Sequence, residues 1–170
     1  GAMYHDIGKL ENPYFFTENQ ANGFSPHHEM EPLESAKIII NHVILGVEMA
    51  KKNKLPEQVI DFIRTHHGTT PVSYFLHLYK KQTGQLVVDE TPFRYSGPIP
   101  FSKETAVLMM ADGVEAASRS LKKHDAVSIN ELVDNIIDYK IETNQFINSD
   151  ITFKDITTIK KIFKKRLMNI

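Results

Sequence analysis

Residues 34–52, ESAKIIINHVILGVEMAKK, decide the class of fold. Ile38, Ile39, Val43, Gly46, Val47 and Ala50 recur there at the three- and four-residue spacing of one helix face. His42 lies on the same apolar side, close to Ile38, Ile39, Leu45 and Gly46, so this helix carries an imidazole toward the interior. The helical period continues downstream. Pro56 suits the first turn of a helix with the stripe Val59, Ile60, Ile63 and His67, and Gly68 follows as its stop. A short helix is predicted over 72–82. Ser102 is a good N-cap for a helix running through Met109, Asp112 and Glu115 to about Lys122. Ser128 with Glu131 makes a capping-box signature for a helix to about Asn144. Thr152 with Asp155 repeats that logic for a last helix, with Ile156, Ile159, Phe163 and Leu167 on one face and a Lys/Arg-rich opposite face.

Upstream of the deciding stretch, residues 4–10 read as the tail of a helix. Residues 11–32 read as loop, broken at Pro13, Gly23, Pro26 and Pro32. Residues 84–101, with Pro92, Pro98 and Pro100, form a long connection of the kind that serves as a lid or binding loop. A brief strand is predicted there at Val87-Val88. The sum is an all-α fold of about six to eight helices.

At 170 residues the chain has room for one domain with a sizeable core, or two very small ones. With 41% hydrophobic and 24% charged residues it is a globular chain rather than a disordered one. Twenty Lys and Arg against 21 Asp and Glu leave a net charge of −1, which argues against a nonspecific binder of nucleic-acid polymers. The absence of Cys removes disulfides, thiolate metal sites and Cys nucleophiles together. No stretch is apolar enough to span a membrane, and no signal peptide is visible. Gly1-Ala2-Met3 looks like the remnant of a cleaved tag, leaving 4–170 as the domain proper.

Eight His are present, and several stand in suggestive places: His5-Asp6, His42, His66-His67, with Asp112 beyond them. Each has an ordinary reading on its own. His5-Asp6 can be a surface pair, His42 a satisfied core residue, and His66-His67 a complement to a helix C-terminus. Asp112 lies between Met110, Ala111 and Val114, where an ionised carboxylate needs a cation or several donors. Together they put imidazole and carboxylate on otherwise apolar faces of four helices, the way bundle proteins build metal sites in their cores. Without thiolate, such a set favours Fe, Mn, Co, Ni or Zn in a catalytic role. An Asp beside a His can bridge two ions, and two ions roughly 3.5–4 Å apart polarise a phosphoryl group and supply hydroxide near neutral pH.

The run His5-Asp6-Ile7-Gly8-Lys9, followed in order by His42, His66-His67 and Asp112, resembles the signature of the HD-domain metal-dependent phosphohydrolases, an all-α superfamily. The stretches 5–16, 34–42, 61–70, 98–120 and 151–165 are similar to the cytosolic HD domain of the seven-transmembrane HD family. Members of that family hydrolyse cyclic di-AMP to pApA with two metal ions, Mn or Fe, by metal-bound hydroxide attack on phosphorus. The HD-GYP branch also has a His pair but follows it with Glu, whereas His67 is followed by Gly68-Thr69-Thr70. The resemblance implies that Asp6 bridges the ions, with His5 and Asp112 on one and His42 and His66 on the other. His67 is implied as a ligand or as a donor to a phosphate oxygen. Lys9 is implied as the group that neutralises a phosphate oxygen, against the ordinary reading of a solvated helix-end lysine.

Tyr14, Phe15, Phe16, Tyr74, Phe93 and Tyr95 are candidates to stack on adenine or simply to anchor core and loops. Glu115 and Arg119 either support the site from behind Asp112 or form an intrahelical pair. HD domains supply a further His from a helix upstream of the doublet, and residues 1–4 contain none. The expectation is therefore an N-terminally truncated domain with partial metal occupancy, weak or no activity, and uncovered apolar surface that favours a homodimer. The fragment is expected to be soluble, its parent to sit in a bacterial membrane with this domain cytoplasmic. Two alternatives stay open: an HD phosphohydrolase for another nucleotide or cyclic dinucleotide, or a non-catalytic nucleotide sensor.

Overall fold

The computed structural model describes residues 1–20 and 25–169, so Gly23, expected as a breaker, lies outside the described residues. The chain divides into two compact units, Gly1–Gly97 and Pro98–Ile170. Among the described residues there are six α-helices and no strand, and no helix is long and apolar enough to cross a membrane.

In the first unit, α1 spans Pro32–Lys52, α2 Glu57–Thr65 and α3 Ser73–Thr83. Helix α1 begins two residues before the predicted Glu34 because Pro32 takes the first-turn position, where its missing N–H costs nothing. Gly84, at φ +68°, is the left-handed cap that ends α3, and Gly68, at φ +53°, lies in the turn that follows the His66 cap of α2. Two apolar clusters hold the unit together. Ala50, Ile60 and Ile63 join α1 to α2 with Ile7 against them, and Ala36, Phe75, Leu76 and Phe93 join α1 to α3.

Residues 4–10 differ from the predicted α-helical tail. They form a turn and a 3-10 helix, Ile7–Glu11, with Ile7 N–H donating to Tyr4 O (3.1 Å) and Lys9 N–H to Asp6 O (3.0 Å). The segment lies flat on α1: a Cβ built on Gly8 would stand 1.9 Å from the His42 carbonyl oxygen. The loop that follows contains three further 3-10 turns, Pro13–Phe15, Thr17–Asn19 and Pro26–Glu29. Val87-Val88 forms no strand, since Val87 is exposed and nothing pairs with it. The pairing in this region is an isolated bridge between Pro71 and Arg94, flanked by Val72 N–H to Phe93 O (2.8 Å) and Tyr95 N–H to Thr70 O (3.1 Å).

In the second unit, α4 spans Lys103–Ser118, α5 Ala126–Glu142 and α6 Phe153–Leu167. Ser102 and the Thr152–Asp155 pair form capping boxes. Helix α5 is capped by Asp125, whose side chain accepts the Ser128 N–H (2.8 Å), so the predicted Ser128 cap lies inside the first turn. An Asp there adds a negative charge to the positive end of the helix dipole. Helix α4 stops four residues short of Lys122, where the Ser118 hydroxyl turns back to the Glu115 carbonyl (2.7 Å). Met109, Met110, Val114, Val133, Ile137 and Ile156 form the core among the three helices.

Candidate metal centre

Three segments of the first unit bring imidazoles to one carboxylate. His5 and Asp6 precede the 3-10 helix, His42 sits mid-way along α1, and His66 caps α2. Each imidazole is oriented by a main-chain carbonyl three residues upstream: His5 Nδ1 to Ala2 O (2.7 Å), His42 Nδ1 to Ile39 O (2.5 Å) and His66 Nδ1 to Ile63 O (2.7 Å). A carbonyl only accepts, so Nδ1 is the donor in all three rings. A neutral ring then presents a lone pair at Nε2.

Those lone pairs converge. His42 Nε2 lies 3.3 Å and His66 Nε2 3.5 Å from Asp6 Oδ1, and the two Nε2 atoms are 3.2 Å apart. Asp6 Oδ1 is buried and has no hydrogen-bond partner. Three acceptors facing one another at this range need a shared cation. A proton on one imidazole satisfies one ring, whereas a metal ion takes all three lone pairs at once, so the donor set fits a divalent ion. His67 joins the same group, all four ligand atoms lying within 4.8 Å of one another. Its ring stacks on Tyr95 at 4.2 Å.

The other oxygen, Asp6 Oδ2, faces His5 Nε2 at 3.3 Å and the Lys9 ammonium at 2.7 Å. Lys9 also reaches Glu18 Oε1 at 2.6 Å and passes over the Phe16 ring at 5.0 Å. It is therefore an ion-paired group rather than a solvated helix end. Burial opposes the charge on Asp6, but the facing imidazoles of His42, His5 and His66, wherever one of them is protonated, and the Lys9 charge hold its carboxyl well below the usual carboxylate range. Burial likewise works against the Lys9 ammonium, and Asp6 and Glu18 outweigh it and raise its pKa above the ordinary value.

Asp112 is half-buried on α4 in the second unit. There the buried Lys140 of α5 lies against Gly113, where a Cβ would meet Lys140 Cε at 2.8 Å. Burial pushes the Lys140 ammonium down to about 8 against the pull of Asp112. Glu115 and Arg119 form the intrahelical pair, at 2.9 Å. Of the candidate aromatics, Tyr14 and Tyr74 are exposed, while Phe16, Phe93 and Tyr95 are buried. Glu18 and Lys140 were not singled out from sequence. Nothing in a Pro-broken loop marks Glu18, and a lysine on an amphipathic helix reads as solvated until its neighbours are known.

The HD domain family model matches residues 1–117. The chain is 41% identical over its full length to the cyclic-di-AMP phosphodiesterase PgpH of Bacillus subtilis (strain 168), spanning 24% of that protein. It is 41% identical over 94% of its length to PgpH of Listeria monocytogenes serotype 1/2a (strain 10403S), spanning 22% of it. The crystal structure of the L. monocytogenes PgpH HD domain in complex with cyclic-di-AMP superposes with a TM-score of 0.93 at 39% identity, covering 98% of this chain and 77% of that one. The matched region holds the His-Asp pair, both further imidazole positions and Asp112, and the chain belongs to the HD domain family.

Proposed function

We propose that this chain is the catalytic domain of a dimetal cyclic-di-AMP phosphodiesterase. The observation that carries the reading is the convergence of Asp6 Oδ1 with the Nε2 atoms of His42 and His66. The likeness to proteins named cyclic-di-AMP phosphodiesterases, and to a domain solved with cyclic-di-AMP, supplies the substrate. His42, His66 and Asp6 would hold one ion, and Asp6 and His5 would hold a second, to which Asp112 is assigned on the sequence resemblance alone. Imidazole and carboxylate ligands suit Mn or Fe. Such ions, when bound, supply Lewis acidity toward a phosphoryl oxygen and lower the pKa of water.

The chain's own residues bind and orient. Lys9 offers its ammonium to a non-bridging phosphate oxygen of a substrate that carries one negative charge on each phosphodiester. His67, held by Tyr95, either completes the first ion or donates to the same phosphate. Addition of water across one P–O3′ bond leaves a 5′-phosphate and a free 3′-hydroxyl, which is pApA. No side chain need become covalently attached. The same reading places the domain on the cytoplasmic side of a membrane-anchored parent.

The test incubates the purified domain, extended upstream to restore the helix expected to carry the further His, with cyclic di-AMP and cyclic di-GMP in the presence of Mn(II), or Fe(II) under anaerobic conditions, with products resolved by chromatography. Conversion of cyclic di-AMP to pApA, lost in Asp6→Ala, is the expected result. Dinucleotide binding with two bound ions and no turnover would replace the enzyme by a sensor. Turnover of a different nucleotide alone would replace the substrate.

A further inference from the structure

Lys9 stands where a second cation belongs. Its ammonium is 2.7 Å from Asp6 Oδ2, on the side of the carboxylate that His5 Nε2 also faces at 3.3 Å. The opposite oxygen is the one turned to His42 and His66. A positive charge at that distance satisfies Oδ2 electrostatically and repels a divalent ion approaching it. For Asp6 to use both oxygens, Lys9 must withdraw, and a half-buried ammonium cannot withdraw to nothing. Glu18 is placed to receive it. Its Oε1 already shares the ammonium at 2.6 Å, and its Oε2 is 3.4 Å from the Thr17 hydroxyl. The Lys9 ammonium lies over the Phe16 ring, itself buried against the His42 imidazole at 5.6 Å, so the movement required is a swing of the terminal amine between two carboxylates.

We propose that Glu18 is a positioning residue that draws Lys9 off Asp6 Oδ2 and so admits the second ion. This rests on the dimetal reading above. With Lys9 held by Glu18, the ammonium remains beside the site, available to a phosphate oxygen. Without Glu18, Lys9 stays on Asp6 and competes with the ion. The device makes the second ion weaker and more exchangeable than the first, because the first meets no resident cation.

The test is a titration of metal-free protein with Mn(II), followed by calorimetry and by the loss of the free-ion magnetic resonance signal, in four proteins: parent, Glu18→Gln, Lys9→Met and the double variant. Glu18→Gln is expected to weaken the second binding step roughly three- to tenfold, the scale of a partly buried ion pair, and to leave the first within twofold. Lys9→Met is expected to tighten the second step. In the Lys9→Met background Glu18→Gln is expected to have no effect. An equal weakening in both backgrounds would overturn the proposal and make Glu18 a direct attractor of the ion. So would a second step unchanged by Glu18→Gln. A parent protein that binds a single ion would overturn it together with the dimetal reading, whereas two ions with no Glu18 effect would leave that reading standing.

Discussion

Gly8→Ala is the smallest change that should take the metal centre apart. A Cβ at Gly8 falls 1.9 Å from the His42 carbonyl oxygen, 2.6 Å from the Gly46 nitrogen and 2.8 Å from the His42 carbonyl carbon. All three are main-chain atoms of α1, so no side chain can rotate aside. Ordinary contact begins at 3.4 Å, and the 3-10 segment must retreat by about 1.5 Å (3.4 − 1.9) to accept the methyl. Asp6, two residues upstream, moves with it. Its Oδ1 lies only 3.3 Å and 3.5 Å from the two Nε2 atoms it faces, and displacement on that scale takes it out of a shared coordination sphere. Overpacking of this kind costs about 1–3 kcal/mol, or roughly 2–4 °C of Tm per kcal/mol at this chain length. A positioning error of about 1 Å costs on the order of a hundredfold in turnover. The comparison variant is Gly46→Ala, on the other side of the same contact. Its Cβ meets Ile63 Cγ2 first, at 2.9 Å, a side-chain methyl that needs to give by only about 0.5 Å, and Gly8 N at 3.3 Å. Thermal unfolding and Mn(II) titration of the two variants should therefore rank Gly8→Ala well below Gly46→Ala, with metal affinity down at least tenfold in the former. A Gly8→Ala protein with parental metal affinity and a Tm within a degree of the parent would refute the reasoning.

Lys140 should give an inverted pH profile in metal-free protein. Its folded pKa of about 8 lies below the ordinary 10.5, so between those values the unfolded chain binds more protons and stability rises with pH; below about 8 the full penalty applies, at most about 3 kcal/mol. Lys140→Met is expected to be more stable than the parent at pH 7 in urea titrations, with the advantage gone near pH 10, and a pH-independent difference would count against this. Tyr95→Leu removes the ring stacked on His67 and should lower both Tm and turnover, while Tyr95→Phe keeps the stack and should retain more of both than Leu; Phe as damaging as Leu would assign the role to the hydroxyl. Thr152→Ala, which opens the α6 capping box, should cost about 1 kcal/mol by chemical denaturation without changing Mn(II) affinity, and a change in that affinity would tie α6 to the site.

The helices were legible because their signals are local. The Ile38 to Ala50 period, Gly68, Ser102 and the Thr152–Asp155 pair each report on a turn or two of chain, and the structure has helices α1, α2, α4 and α6 at those places. The boundaries that moved did so for equally local reasons, Asp125 outcompeting Ser128 as a cap and Ser118 turning back on its own helix. The first unit's candidate ligands were legible as residue types in order, and the structure brings Asp6, His42, His66 and His67 together as one group. Their supports were not. Glu18, nine residues past Lys9 across two 3-10 turns, and Tyr95, brought to His67 by the Thr70 carbonyl, depend on chain paths that no periodicity encodes. The 3-10 form of Ile7–Glu11 was equally invisible, because it follows from contact with α1 rather than from its own five residues.

That contact also explains why so small a motif is so specific. His5, His42 and His66 each donate Nδ1–H to the carbonyl three residues upstream, on Ala2, Ile39 and Ile63. Any residue supplies such a carbonyl once the chain is turning, so the tautomer of these three rings is set by their own backbone and needs no partner from elsewhere in the fold. The requirement left to the sequence is the distance between turns. In the first unit it is met at one point, where Gly8 rests on the His42 carbonyl and Gly46 leaves room beneath it. A His-Asp pair alone therefore says little, since the orienting bonds come free with any turn. A His-Asp pair with Gly two residues after the Asp says much more, because that Gly lets the carboxylate come within 3.3–3.5 Å of the imidazoles of the neighbouring helices, the approach that the proposed shared ion requires.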